Sequence, residues 1–256
     1  MQNPIVRVMT FSIIACDENT GHLGIAVASR FFAVGASIPY FGKKCAIASQ
    51  ALVNPMWGIK GVELLSDGKT PSNALKTLQR SDKGQSQRQV HMIDGSGTTG
   101  AHTGSDCVGW AGHLCKNGIS VAGNMLDSSD VIEAMMASYE NNRMLDFADR
   151  LLAAMQAGEL AGGDKRGRQS ASLTIHRGEI FPWLDLRSDD HDAPLDEIER
   201  LLSVARERYV FFTEFMGTSD NFSGIADRTQ IDEAIAKAAE TRFISGRQTA
   251  SRATEK

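Results

Sequence analysis

The chain has 256 residues, of which 42% are hydrophobic and 23% charged, with a formal net charge of -4. This globular, slightly acidic composition excludes a disordered or fibrous chain and a broadly basic partner of nucleic acid or acidic membranes. Four cysteines are too few for a disulfide scaffold, no apolar run reaches the roughly 20 residues of a membrane helix, and the polar start Met1–Val8 lacks a secretory pattern, so a cytoplasmic enzyme or binding domain is expected.

Thr10–Cys16 (TFSIIAC) and His22–Ala28 (HLGIAVA) read as a hairpin about the turn residues Asp17–Gly21. A third strand is expected at Lys44–Ser49. These runs are almost continuously apolar, so both faces of their sheet should be covered. Asn54-Pro55 opens a helix with Ile59, Val62 and Leu65 on one face, and Thr70-Pro71 caps another carrying Ala74, Leu75 and Leu78. Gln89–Ile93 and Thr98–Thr103 form a second predicted hairpin about Asp94–Gly97, followed by a short strand at Ile119–Ala122. Val131, Ile132, Met135, Met136 and Tyr139 hold helical spacing, as do Leu145, Ala148, Leu151, Leu152 and Met155, with the methionines as core filling. After the glycine-rich stretch Gly162–Arg168 come strands at Gln169–His176 and Pro182–Leu186 and a helix over Pro194–Phe212. A short helix at Ile231–Ala239 and a frayed basic tail from Arg242 complete the chain. Strands and helix pairs in this order predict an α+β fold of two mostly antiparallel sheets with helix pairs outside. The expected organisation is an N-terminal extension over 1–9, one layered domain over 10–212 and an appendage over 213–256.

Three features carry chemistry. Thr10 follows Met9 at the first position of a strand, so cleavage before it would free an α-amine beside a hydroxyl; the plain alternative is an ordinary strand residue. Gly162–Arg168 gathers glycines with Asp164, Lys165 and Arg166, where backbone can approach a ligand and Arg166 can clamp a carboxylate; the plain alternative is a solvated turn. Polar residues also end the apolar runs: Ser29-Arg30, Ser49-Gln50, Asn54, His102 and Asn124. His102, Cys107, His113 and Cys115 do not have the spacing of a zinc module. Asp189–Asp192 encloses His191, but helix capping ahead of Pro194 accounts for part of that cluster.

Taken together, Thr10–Ile13, Val27–Gly35, Gln50–Pro55, Ala101–Gly104, Trp110–His113, Gly123–Leu126, Ala161–Ala171 and Leu184–Arg187 resemble a microbial family of the N-terminal nucleophile (Ntn) hydrolase superfamily. The resemblance implies a four-layer αββα sandwich and attack on a small amide, lactam or related C–N bond, with Thr10 as nucleophile and its freed amine as base. It implies a positive charge from Lys43 or Lys44, with Asp164, Arg166 and Ser170 near the amine or substrate. Asn54 or nearby N–H groups would form an oxyanion hole, and Arg30, Gln50, His102 and Asn124 would complete the substrate contacts. No metal or cofactor is expected; a small-molecule substrate and a homo-oligomer are. Ala28-Ser29-Arg30 also looks like the Asp-Ser-Arg stretch of proteasome β-type subunits, but Ala28 replaces the aspartate, so that charge arrangement does not transfer whole. Eight residues precede Met9, which leaves open a start at Met9, self-cleavage, or a blocked Thr10. The rival readings are a non-catalytic protein binding a small anion near Arg30 or Arg166, or assembling with others, and a metal-dependent hydrolase using Asp189, His191 or His102.

Overall fold

The computed structural model describes residues 10–163, 167–246 and 248–253. The chain divides into two units, Met1–Leu195 and Asp196–Lys256. In the first, one antiparallel sheet holds β1 (Thr10–Cys16), β2 (Leu23–Ser29), β7 (Trp110–Lys116), β8 (Ile119–Leu126), β9 (Ser170–His176) and β10 (Leu184–Ser188), in the order β10-β9-β2-β1-β8-β7. The other holds β3 (Pro39–Gly42), β4 (Cys45–Ala51), β5 (Arg88–Asp94) and β6 (Thr99–Thr103) in sequence order. Helices α2 (Pro55–Ser66) and α3 (Pro71–Ser81) pack on the four-stranded sheet, and α4 (Asp130–Asn141) and α5 (Phe147–Leu160) on the six-stranded one; a single turn, α1 (Val34–Ser37), follows β2. The expected αββα layering is therefore present.

Alternation along the strands builds the layers. Ile14, Leu23, Ile25 and Val27 from one sheet meet Ala46, Ala48 and Ile93 from the other. The neighbouring positions Cys45, Ile47, Val90 and Met92 point the other way, onto Trp57, Leu64, Leu75 and Leu78 of α2 and α3. On the far side of the six-stranded sheet α5 sits close: a Cβ on Gly24 would lie 2.5 Å from Leu151 Cδ1 and 2.9 Å from Phe147 Cε1, so a larger residue there would have to displace those α5 side chains. Met135 and Met136 are buried, as expected of core methionines.

Caps define the helices. Asn54 accepts from the Met56 N–H ahead of Pro55, and Thr70 accepts from Asn73 ahead of Pro71. The second unit holds α6 (Pro194–Ala205, whose first two residues belong to the first unit), α7 (Tyr209–Thr213) and α8 (Arg228–Ile244). The single helix expected over 194–212 is thus two, interrupted at 206–208. There the Glu207 carboxylate accepts from Thr249 and the Ala250 N–H and pairs with Arg242 at 3.1 Å. Part of the tail expected to fray is accordingly held, and α8 is longer than the segment expected at Ile231–Ala239.

Candidate functional site: two facing polar rows

The register of the six-stranded sheet places Thr10 opposite Ser29 on β2 and Asn124 on β8, and Ser29 opposite Ser170 on β9. Ser170, Ser29, Thr10 and Asn124 therefore form one row across four strands, on the face turned toward the other sheet. That sheet supplies its own row, Gln50 on β4 opposite Gln89 on β5 opposite Thr103 on β6. The rows meet where Asn124 Nδ2 donates to Gln89 Oε1 at 3.0 Å. Thr10 and Ser29 are each 4% exposed, and Gln50, Gln89 and Ser170 are fully enclosed. Uncharged polar groups sunk this deeply are tolerable only when paired.

Their pairing has a direction, set at one end by backbone. Gln89 Nε2 donates to the carbonyls of Gly123 (2.8 Å) and Gly112 (3.1 Å) and to Thr103 Oγ1 (3.0 Å). A carbonyl only accepts, so Gln89 Oε1 must be the accepting end, and it takes Gln50 Nε2 at 2.8 Å. Gln50 then presents Oε1 to the Ser12 hydroxyl at 2.6 Å. Ser12 has spent its proton, so across the 2.9 Å contact between Ser12 Oγ and His91 Nε2 the ring must donate. His91 Nδ1 is then bare and accepts from Ser120 Oγ at 3.0 Å, and Ser120 accepts the Cys115 thiol at 3.3 Å. Burial, reinforced by His113, pushes the His91 pKa down to about 3, which keeps the ring neutral at ordinary pH.

Ser12, His91 and Ser120 have the residue types of a nucleophile, a base and an orienting group, yet their protons run the wrong way. For His91 to take the Ser12 proton, Gln50 and Gln89 would have to turn over and lose two backbone carbonyls. Ser12 and His91 are also fully enclosed, out of reach of a substrate. They position the sheets, and Thr10, at the strand end and itself 4% exposed, stays the candidate. Its Oγ1 lies 3.1 Å from Ser29 Oγ.

The strand ends around Thr10 are strained. Ala33, Ala51 and Met125 are the non-glycine residues with positive φ among those described, at 53°, 66° and 57°. Ala51 directly follows Gln50, Met125 directly follows Asn124, and Ala33 lies in the loop after Ser29. Each such conformation costs roughly 1 kcal/mol or more, and such strain gathers where function demands a fixed geometry. Ser170 pins the loop after β2 by donating to the Phe31 carbonyl and accepting from the Val34 N–H. Ser170 thus holds the loop, with its one proton already committed there. The same strand ends carry exposed apolar side chains: Phe31 (52%), Phe32 (61%), Leu52 (55%) and Val108 (49%), the last bonded through its carbonyl to the Met125 N–H.

Of the other residues singled out from sequence, Arg30 is exposed beside Ser29 at the rim. Asp164 and Arg166 lie outside the described residues. Lys43 and Lys44 need correction. They sit in the β3–β4 turn, Lys44 against Gly95, whereas Gln50 is six residues farther along the same extended chain, about 20 Å away. The strand register therefore places both lysines at the opposite end of the sandwich from Thr10. Asn54 is occupied as the α2 cap and donates to Asp82 at 3.1 Å, which leaves it holding a helix junction. His102 is one residue out of phase with Thr103, so it faces α2 and α3. There it stacks on Trp57, and its two ring nitrogens are engaged by Gln79 (2.7 Å) and the Gln85 carbonyl (2.9 Å). Asp189 is paired with Arg187 at 2.9 Å, and His191 Nδ1 accepts from the Ala193 N–H.

Sequence reasoning missed Gln89, the hub, along with Ser12 and His91. The available signal was a polar residue at every second position of otherwise apolar strands. It also missed Asp82. Partial burial works against ionisation of this carboxyl, but hydrogen bonds from Arg88, the Gly84 N–H, Trp57 and Asn54 outweigh it and hold it well below the usual carboxylate range. Asp82 thereby ties α2, α3 and β5 together.

The family model DUF1028, described as a family of unknown function, matches residues 10–198, so the match opens at Thr10. Among solved structures, the crystal structure of protein SPO2555 from Silicibacter pomeroyi, which carries the same family model, is 30% identical with a TM-score of 0.79. That similarity covers 86% of this chain and 100% of the other. No curated protein matches the chain. No helix among the described residues is long and apolar enough to cross a membrane.

Proposed function

We infer that this chain, which belongs to the DUF1028 family of unknown function, hydrolyses a small amide, lactam or related C–N bond with Thr10 as nucleophile, a reading that starts from its resemblance to N-terminal nucleophile hydrolases. The observation that carries the reading is the surroundings of Thr10 Oγ1. Its partner is the Ser29 hydroxyl, and no carboxylate, imidazole or amine among the described residues is bonded to it. A threonine hydroxyl without a base is a poor nucleophile. Cleavage of the Met9–Thr10 peptide bond by water would release an α-amine with a pKa of roughly 7.7–8.0, a base within the same residue.

The steps then follow the manner of N-terminal nucleophile hydrolases. The amine takes the Oγ1 proton as Oγ1 attacks the carbonyl carbon. The C–N bond breaks, and the leaving nitrogen carries away that proton. Water hydrolyses the Thr10 ester, releasing the acid and restoring the hydroxyl and the amine. Asn124 and Ser29, flanking Thr10 in its row, orient the substrate, and the apolar rim of Phe31, Phe32 and Leu52 favours an uncharged molecule with an apolar flank. The strained residues at three neighbouring strand ends support a site at this end of the sheets. Free thiols at Cys16, Cys45, Cys107 and Cys115 support a reducing, cytoplasmic setting. Assembly into a homo-oligomer belongs to the same reading, by resemblance to that superfamily.

The test is Thr10→Ala, assayed beside the parent on a panel of chromogenic anilides and lactams. Turnover should fall by about 10³-fold or more with the thermal unfolding midpoint kept, while Thr10→Ser retains part of the activity. Undiminished turnover in the alanine variant would overturn the assignment.

A further inference from the structure

At the far end of the sandwich, the β1–β2, β5–β6 and β7–β8 turns converge with α4 and α5 around a cavity of about 360 Å³. Backbone bonds knit the turns together: the Cys16 N–H donates to the Gly118 carbonyl at 2.9 Å, and the Gly118 N–H to the Gly97 carbonyl at 2.7 Å. Gly97 and Gly118 both hold positive φ, 83° and 79°, which lets the turns close over the β-strand ends.

Two side chains in the cavity wall have polar atoms without a partner among the described residues. Arg150 is 8% exposed, with Nε donating to the Tyr139 carbonyl at 2.7 Å and its guanidinium 3.7 Å over the Tyr139 ring. Its two terminal nitrogens make no hydrogen bond or ion pair with a described residue. The Tyr139 hydroxyl is buried and also unpartnered, and the residue is only 3% exposed. Burial pushes this hydroxyl's pKa up, so it stays a proton donor. A planar guanidinium edge beside a phenolic donor matches a carboxylate, which accepts from both.

The same lining carries three carboxylates, with Arg143 among them. Glu18 reaches Arg143 only at 3.9 Å, and Asp17 caps its own turn through the Thr20 hydroxyl and the Asn19 N–H. Glu140, the third carboxylate of the wall, is already held by Lys116 at 2.8 Å. Carboxylates in this lining disfavour a multiply charged anion such as phosphate and favour a ligand that carries a cation at its other end.

We propose that this cavity binds a small zwitterion, a free amino acid or a dipeptide, with its carboxylate on Arg150 and Tyr139 and its ammonium on Glu18 and Asp17. The volume suits such a ligand, lying near the small end of ligand sites. This site is independent of the reaction proposed at Thr10, so Thr10→Ala should bind as the parent does.

The experiment is isothermal titration calorimetry on the full chain with L-alanine and L-alanyl-L-alanine, set against N-acetyl-L-alanine and L-alanine amide, each of which lacks one charge. The zwitterions should bind saturably and the single-charge analogues about tenfold more weakly or worse. Arg150→Met should lose about tenfold or more. Should that variant fail to fold, Tyr139→Phe decides: it removes an unpartnered hydroxyl, so its unfolding midpoint should hold or rise while binding falls severalfold. No saturable heat from either zwitterion, equal binding of N-acetyl-L-alanine, or unchanged binding by Tyr139→Phe would each overturn the proposal.

Discussion

The two ends of the inter-sheet sandwich handle buried polar groups in opposite ways. Running inward from the Thr10 end, Gln89, Gln50, Ser12, His91 and Ser120 form a chain in which each proton has one permitted direction, anchored on the Gly112 and Gly123 carbonyls. At the Cys16 end, the Tyr139 hydroxyl is enclosed and unpartnered, and the Arg150 terminal nitrogens have no partner among the described residues. A satisfied network fixes geometry, because any rearrangement strands a donor or an acceptor. An unsatisfied pair lining a cavity leaves bonding capacity that a ligand can take up. The first end is therefore suited to holding a nucleophile in place, the second to taking up a ligand.

The sharpest way to break this contrast is to remove the hub. Gln89→Leu strands Gln50, Asn124 and two carbonyls, and should cost about 3–4 kcal/mol in urea unfolding; a loss below about 1 kcal/mol would mean that the network is not what joins the sheets. Next, the same edit made at both ends should differ in sign. Ser12→Ala leaves His91 Nε2–H and Gln50 Oε1 unpaired and should cost about 2 kcal/mol.

The pH dependence sharpens the same point. His91 has a folded pKa pushed down from 6.5 to about 3, so the unfolded chain binds the extra proton between those values. Its contribution is fully present above the unfolded value of 6.5 and drains away as pH falls toward 3, amounting to about 2 kcal/mol by about pH 5. His91→Gln should lie lower at neutral pH but lack that component of the acid slope. The smallest expected effect is at the other end: Tyr139→Phe should leave stability within about 0.5 kcal/mol or raise it, since no partner is lost.

Much of the fold was legible in the sequence because its strongest signals are local. The continuous run Thr10–Cys16 is a buried strand with the expected bounds, and Thr70-Pro71 and Asn54-Pro55 begin helices as their capping chemistry requires. Weaker segments escaped. β7 is a half-exposed edge strand with Gly112 and an irregularity between Trp110 and Gly112, so it has no clean alternation, and β3 opens on a proline. The site was legible only in part. Thr10, Gln50, Asn124 and Ser170 stand out as polar residues ending apolar runs, and pairing brings them into two facing rows. Lys44 could not be placed, since proximity to Thr10 depends on which end of β4 lies opposite β1. Gln89 and His91 were invisible for a related reason: a polar residue inside a strand gains meaning only once the opposing sheet is in register.

The central claim is that Thr10 works through its own freed amine. Intact-mass spectrometry of the protein made in its native host, paired with an N-terminal sequence read, tests it most directly. The expected result is a mature chain beginning at Thr10, with residues 1–9 absent. An active mature chain that still carries Met9 joined to Thr10 would contradict it.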